Sequence, residues 1–170
     1  MKYLFVGAAI LLMCTQCSKN SHDYTTVNNT DSYFVQQASY TNLDEISAGN
    51  IAAVRGSNDS VRVFASMMIT DHTAAQLSLD SLGTSLHLAL PTMPDSLHQA
   101  MSAQLELLSG NIFDTTYMGE QVRDHMTAVN LYQTEISAGN NQQIVNYAQK
   151  YLPVIQMHLQ EAESIQQMIQ

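Results

Sequence analysis

From Asp31 onward, apolar residues return every three or four positions through four long stretches, and no stretch alternates long enough to compete as a strand. That period confines the chain to an all-α fold. The first long helix is expected over about 31–55, with Thr30 or Asp31 as its N-cap and Phe34, Ala38, Asn42, Ile46, Gly49 and Ala53 along one side. Gly56-Ser57-Asn58-Asp59 reads as a turn and a new cap, and a second helix follows over about 59–82 with the stripe Val61, Phe64, Met68, His72, Ala75 and Leu79. Residues 83–94 form a connection. Pro94-Asp95-Ser96 opens a shorter helix carrying Leu97, Met101, Leu105 and Leu108, which Ser109-Gly110 closes. The remaining long helices fall over about 112–138, with Met118, Val122, His125, Val129, Tyr132 and Ile136 inward, and 142–169, with Ile144, Ala148, Ile155, His158, Ala162, Ile165 and Ile169. Pro153 lacks a backbone donor and is expected to kink the last of them.

The segment Glu45-Ile46-Ser47-Ala48-Gly49-Asn50 recurs as Glu135-Ile136-Ser137-Ala138-Gly139-Asn140, at an offset of 90 positions. Taken as a repeat, it divides the chain into two helix hairpins joined by a long crossover that contains the short helix. This is the topology of ferritin-like four-helix bundles.

The first residues read as an address. Lys2 precedes the apolar run Tyr3 to Met13, which is too short for the roughly 20 residues a membrane-spanning helix needs and suits a secretory signal over residues 1–16. Cys17-Ser18-Lys19-Asn20 resembles the lipidation junction of bacterial lipoproteins, although Gln16 stands where small residues are usual. Cys17 is then the acylated first residue of the mature chain, and the membrane is a partner through that anchor. Residues 17–30 read as a tether to a domain at 31–170. The expected location is the bacterial cell envelope, facing the periplasm, with the outer membrane the favoured attachment. Since both cysteines, Cys14 and Cys17, belong to this segment, the body has no disulfide and no thiolate site.

Composition removes several function classes. Six basic residues against 15 acidic ones, a formal charge of −9, leave no basic stripe for counterion-release binding to nucleic acid. Asp114-Thr115-Thr116 offers hydroxyls without a base at a diagnostic spacing, and there is neither a Gly-rich phosphate loop nor paired histidines around a Glu. Asp95 with Glu106, and Glu161 with Glu163, read as solvated helix faces. No catalytic residue is assigned.

Asn42-Leu43-Asp44-Glu45-Ile46, Met67-Met68-Ile69-Thr70-Asp71-His72, Ser109-Gly110-Asn111-Ile112-Phe113-Asp114 with Tyr117-Met118, Asp124-His125, and Leu152-Pro153-Val154-Ile155 with His158-Leu159 run in order through residues 31–169. Together they resemble the signature blocks of the exported bacterial family called domain of unknown function 4142. The resemblance implies a ferritin-like fold and an envelope location, and it carries no agreed activity.

Three inward stripes each hold a histidine: His72, His125 and His158. With a crossover that returns the chain, helix rise places His72 about 15 Å from one end of a bundle about 37 Å tall, with Glu45 and His125 near 21 Å and His158 somewhat higher. They share a central band. Imidazole with carboxylate suits Zn, Cu, Fe or Ni, so His72, His125 and His158 with Glu45 or Glu161 form a candidate transition-metal site. The di-iron pattern, Glu three residues before His, is absent, because Ile69, Val122 and Ile155 occupy those positions. The competing reading keeps the histidines as hydrogen-bonded core residues, with Asp71, Asp124, Tyr117 and Tyr132 in the network. Neighbouring methionines such as Met68, Met118 and Met157 read as core filling, and His22, His87 and His98 as solvent-facing. Two functions follow: an exported, lipid-anchored bundle with a binding or structural role, or a metal-binding bundle.

Overall fold

The computed structural model describes residues 25–170, so the signal, Cys14, Cys17 and most of the tether lie outside the described residues. Five helices account for the fold: α1 (Asn29–Arg55), α2 (Asp59–Leu86), α3 (Ser96–Leu105), α4 (Gly110–Ala138) and α5 (Gln142–Ile169). The described residues contain no strand, and no helix among them is long and apolar enough to cross a membrane.

The helix starts follow cap chemistry more closely than periodicity. Asn28, not Thr30 or Asp31, caps α1, because its side chain accepts from the Asp31 amide while Asp31 accepts from the Asn28 amide, a reciprocal capping box. Asp95 caps α3 by accepting from the amides of Leu97 and His98. Helix α2 runs four residues beyond the expected boundary and stops at His87, which takes the left-handed conformation at φ 56°. Ser109-Gly110 opens α4 instead of closing α3, with Gly110 at φ 60°. Pro153 lies on the exposed side of α5, and the helix continues through it to Ile169.

Helix α1 packs on α2 and α4, and α5 packs on α4 and α2, while α3 lies against α1 and α4. Two buried carboxylates fix the directions. Asp31, in the first turn of α1, accepts from the amides of Asn140 (2.9 Å) and Asn141 (3.1 Å) in the α4–α5 turn. Asp114, near the start of α4, accepts from the amides of Ser57 and Asn58, both at 2.9 Å, and from the Ser57 hydroxyl in the α1–α2 turn. The two turns therefore sit at opposite ends, and α2 and α4 run the same way. Residues 87–109 carry the chain from one end to the other.

These clasps expose the true internal correspondence. Asp31 and Asp114, Gly56 and Gly139, Asn58 and Asn141, and Ala65 and Ala148 are each 83 positions apart, as are the starts of α2 and α5 and their ends. Buried aromatics follow the same step, Phe34 with Tyr117 and Phe64 with Tyr147. The offset of 90 is thus corrected. Its two copies are not equivalent: Gly49 lies inside α1, whereas Gly139 is the C-cap of α4. A Cβ on Gly49 would come within 3.0 Å of Ile69 Cγ1 and 3.1 Å of the Ala65 carbonyl oxygen, so this glycine serves close packing of α1 on α2.

The apolar interior is divided in two. One cluster, including Phe34, Leu79, Tyr132, Ile144 and Tyr147, fills the end that holds the α4–α5 turn. The other, including Phe64, Met68, Leu105, Phe113 and Tyr117, fills the opposite end. Leu88 and Leu90 of the crossover pack on the first, and Leu105 and Leu108 on the second. Between them lies a buried polar layer.

Candidate metal centre

The polar layer is built by all four long helices. Asn42 and Glu45 come from α1, His72 and Gln76 from α2, Gln121 and His125 from α4, and His158 from α5, each under a tenth exposed. The three imidazoles are in mutual ring contact, with centroids 5.7 Å apart for His72 and His125, and 5.4 Å for each of the other two pairs. One ring nitrogen from each lies within 4.8 Å of one from each of the others.

Each ring is held from behind. His72 Nδ1 lies 3.0 Å from Asn42 Oδ1, His125 Nδ1 lies 2.9 Å from the Gln121 carbonyl oxygen, and His158 Nε2 lies 2.9 Å from Asp71 Oδ2. The Asn42 orientation is set by its neighbours: its amide nitrogen donates to Gln76 Oε1, and the Gln76 amide donates to Ser39 and Asp80. Asn42 therefore offers His72 an oxygen. Since these three partners only accept, the outer nitrogen of each ring carries the proton and the other carries a lone pair. Those other nitrogens, His72 Nε2, His125 Nε2 and His158 Nδ1, are buried and have no hydrogen-bond partner.

Burial keeps the imidazoles neutral. It pushes His72 well below the usual histidine range, with His125 and His158 adding to the effect, and pushes His125 down to about 3. It also lowers His158, against the opposing pull of the Asp71 carboxylate. Three neutral rings, each with a buried, unprotonated nitrogen lacking a partner, make a donor set with nothing to donate to. A buried polar atom without a partner costs about 1–3 kcal/mol, so three in one place call for an occupant.

The carboxylates named with the histidines fall elsewhere. Glu45 Oε1 is 3.5 Å from His125 Nδ1, the outer nitrogen, and its Oε2 accepts from Gln121 Nε2 at 2.6 Å. Burial raises its carboxyl to about 8, so it backs His125 as a largely neutral group. Glu161 is exposed and faces a surface groove with Asp59, Met67 and Met157, because the buried α5 stripe steps from His158 to Ala162 and leaves Glu161 on its flank. Asp71 does join the network, on His158 across the helix interface instead of on its chain neighbour His72. Asp124 does not serve His125; it stands 4.0 Å from His98 Nε2. Tyr117 and Tyr132 are buried, and neither hydroxyl bonds to an imidazole.

Two groups escaped the sequence reading. Asn42 was visible as an inward polar residue, but its task depends on the Gln76 relay. His98, expected to face solvent, is half-buried between α3 and α1, with Nδ1 3.0 Å from Asp44 Oδ2 and 2.8 Å from Asp95 Oδ2. The signal available was Asp95-Ser-Leu-His98, a cap residue one helical turn before a histidine.

Comparison with known proteins gives the lineage. The family described as Domain of unknown function (DUF4142) matches residues 17–165. The chain belongs to that family. Among solved structures, this DUF4142 chain is similar to the crystal structure of a DUF305 fragment from Deinococcus radiodurans, at 13% identity and a TM-score of 0.71. The similarity covers 82% of this chain and 97% of that one, and at this identity it speaks for the fold alone. No curated protein matches the DUF4142 chain.

Proposed function

We propose that this DUF4142 protein is an exported, lipid-anchored helical bundle whose task is to hold one transition-metal ion on His72, His125 and His158. The observation that carries the reading is that three buried rings in mutual contact each anchor one nitrogen and leave the other without a hydrogen-bond partner, with one nitrogen of each ring within 4.8 Å of one of each of the others. Metal-binding histidines are set in this way, by a second-shell acceptor that fixes tautomer and ring direction. Ligands bonded at about 2.0–2.1 Å to one ion stand roughly 3.3–3.6 Å apart, so small rotations from nitrogens within 4.8 Å complete the set.

Imidazole donors suit zinc, copper or iron. Three neutral ligands in a buried layer compensate charge poorly, which favours a cuprous ion, since the cost of burying an ion rises steeply with its charge. Rings 0–1% exposed suit retention of an ion more than turnover of a substrate at it. The helix directions, with a crossover returning the chain along the body, support a ferritin-like arrangement. The charged start, short apolar run and Cys17 support attachment to the periplasmic side of an envelope membrane.

The deciding experiment is metal analysis of the chain after dialysis against Cu(I) or Zn(II), beside His72→Ala, His125→Ala and Asp71→Asn. Stoichiometric metal is expected on the parent, none on the alanine variants at the three-histidine site, and an affinity reduced about 10–100-fold in Asp71→Asn. Equal retention by the alanine variants and the parent rejects the site. Separately, a Cys17→Ala variant is expected to leave the membrane fraction, and one that stays there would refute the anchor at Cys17.

A further inference from the structure

The crossover carries a second group of metal-binding residue types that the three-histidine reading does not use. At the seam of α1, α3 and α4, His98 Nδ1 lies between two carboxylates, 3.0 Å from Asp44 Oδ2 and 2.8 Å from Asp95 Oδ2. One ligand atom from each of Asp44, Asp95 and His98 lies within 4.8 Å of the other two. Beside them is a cavity of about 20 Å³ whose polar side is formed by Asp44, Glu45, His98, Glu120, Gln121 and Asp124, with Ala48, Met101, Ser102 and Leu105 closing the rest. That volume suits a single water molecule or ion.

The cavity is not a patch of solvated acids. Asp44 is 6% exposed and its Oδ1 is buried with no partner, and Gln121 is 2% exposed with its Oε1 in the same state. Both unpartnered atoms are oxygens that can only accept. Four of the ten lining residues are acids, and the histidine is the one that can carry positive charge. Asp44 Oδ1 and Gln121 Oε1 are the acceptors there that a donor or a cation would satisfy.

We propose that Asp44, Asp95 and His98 form a second metal site, for a divalent transition cation of the zinc or manganese type, with water from the adjoining cavity completing its shell. The mixed set supports that class: two carboxylates favour a hard divalent ion, and the imidazole shifts preference from magnesium and calcium toward zinc, manganese and iron. The present spacings of 2.8–3.0 Å are hydrogen-bond lengths, so each ligand atom need move apart by only about 0.5 Å to reach the separation of ligands bonded at about 2.0–2.1 Å. The proton that His98 Nδ1 now shares with the two carboxylates leaves to solvent as the cation takes its place. The hydrogen bonds that His98 donates to Asp44 and Asp95 raise its imidazole to about 9, so that proton competes with the metal near neutral pH. Because Asp44 belongs to α1 while Asp95 and His98 belong to α3, the ion would fasten the crossover helix to the body.

The test counts zinc bound per chain by equilibrium dialysis of the parent, Asp95→Asn, His98→Ala and His72→Ala proteins, with helicity confirming that each is folded. Asparagine preserves the α3 cap, and His98 lies at a half-buried seam, so both variants spare the interior. Asp95→Asn and His98→Ala are each expected to bind one zinc fewer than the parent, and an excess of magnesium is expected to leave the parent count unchanged. Counts equal to the parent in both variants, a parent that binds no zinc, or loss to magnesium overturns the second site. His72→Ala reports the three-histidine layer independently: if it matches the parent while Asp95→Asn loses one ion, the layer takes no zinc and the α3 site stands.

Discussion

Asp114→Ala is expected to destabilise the metal-free protein by about 3–5 kcal/mol, lowering its melting temperature by roughly 10 °C. Asp114 is 1% exposed and its carboxylate accepts from two backbone amides and one hydroxyl of the α1–α2 turn. Alanine removes charge-assisted bonds, each worth about 1.5–3 kcal/mol, and leaves the amides of Ser57 and Asn58 without that acceptor. Denaturant unfolding followed by circular dichroism measures the loss. Asp114→Asn keeps the shape and one acceptor oxygen and should lose less. Asp31→Ala is its counterpart at the other end, and because the two sites are far apart the double variant should show the sum of the single effects. A loss below about 1 kcal/mol in Asp114→Ala would mean that the clasp is incidental.

The second large effect concerns the three-histidine layer. An ion that binds the folded state alone stabilises it by about 4 kcal/mol when free metal stands at a thousand times its dissociation constant. For a chain of this size that raises the melting temperature by about 10 °C. With Cu(I), the rise should be absent in His72→Ala, whose remaining imidazoles cannot enclose an ion. It should survive in Asp71→Asn at higher metal concentration, since there the His158 ring keeps its place and loses only a charged anchor. The same thermal shift in His72→Ala and in the parent would show that the metal stabilises the fold from another site.

Much of this architecture is legible in the sequence, for a reason that also marks where legibility stops. The 3.6-residue period reports which side of a helix meets the interior, so the four long helices and the common height of His72, His125 and His158 follow from counting. The closeness of their rings matches that count. Side-chain partners depend on rotation about each helix, to which counting is nearly blind. Asp71 and Asp124 each precede an inward histidine, yet adjacent helical residues diverge by about 100°, so neither could face its own neighbour. Asp71 reaches His158 and Asp124 turns toward His98. Glu161 shows the same limit, since one helical turn from His158 is enough to leave the buried stripe.

The internal correspondence was hidden for a different reason. Six identical residues in a row drew attention to an offset of 90, while the register that the fold uses is carried by scattered positions with individual tasks: a clasp, a C-cap glycine, an N-cap asparagine and a small packing residue. Each is common in helical proteins, and their shared spacing acquires meaning once both turns are seen closed in the same way. Asn42 and His125 fall on that register as well, so one half supplies an anchoring amide at the place where the other supplies an imidazole.

The clasps also determine how this chain can be divided. Asp31 finishes a turn 109 residues away, and Asp114 finishes one 57 residues back, each in the opposite hairpin. Neither hairpin owns the carboxylate that its own turn uses. A cut through the crossover therefore yields two unfinished pieces, each lacking a part that the other carries, and the smallest complete unit of this architecture is the pair.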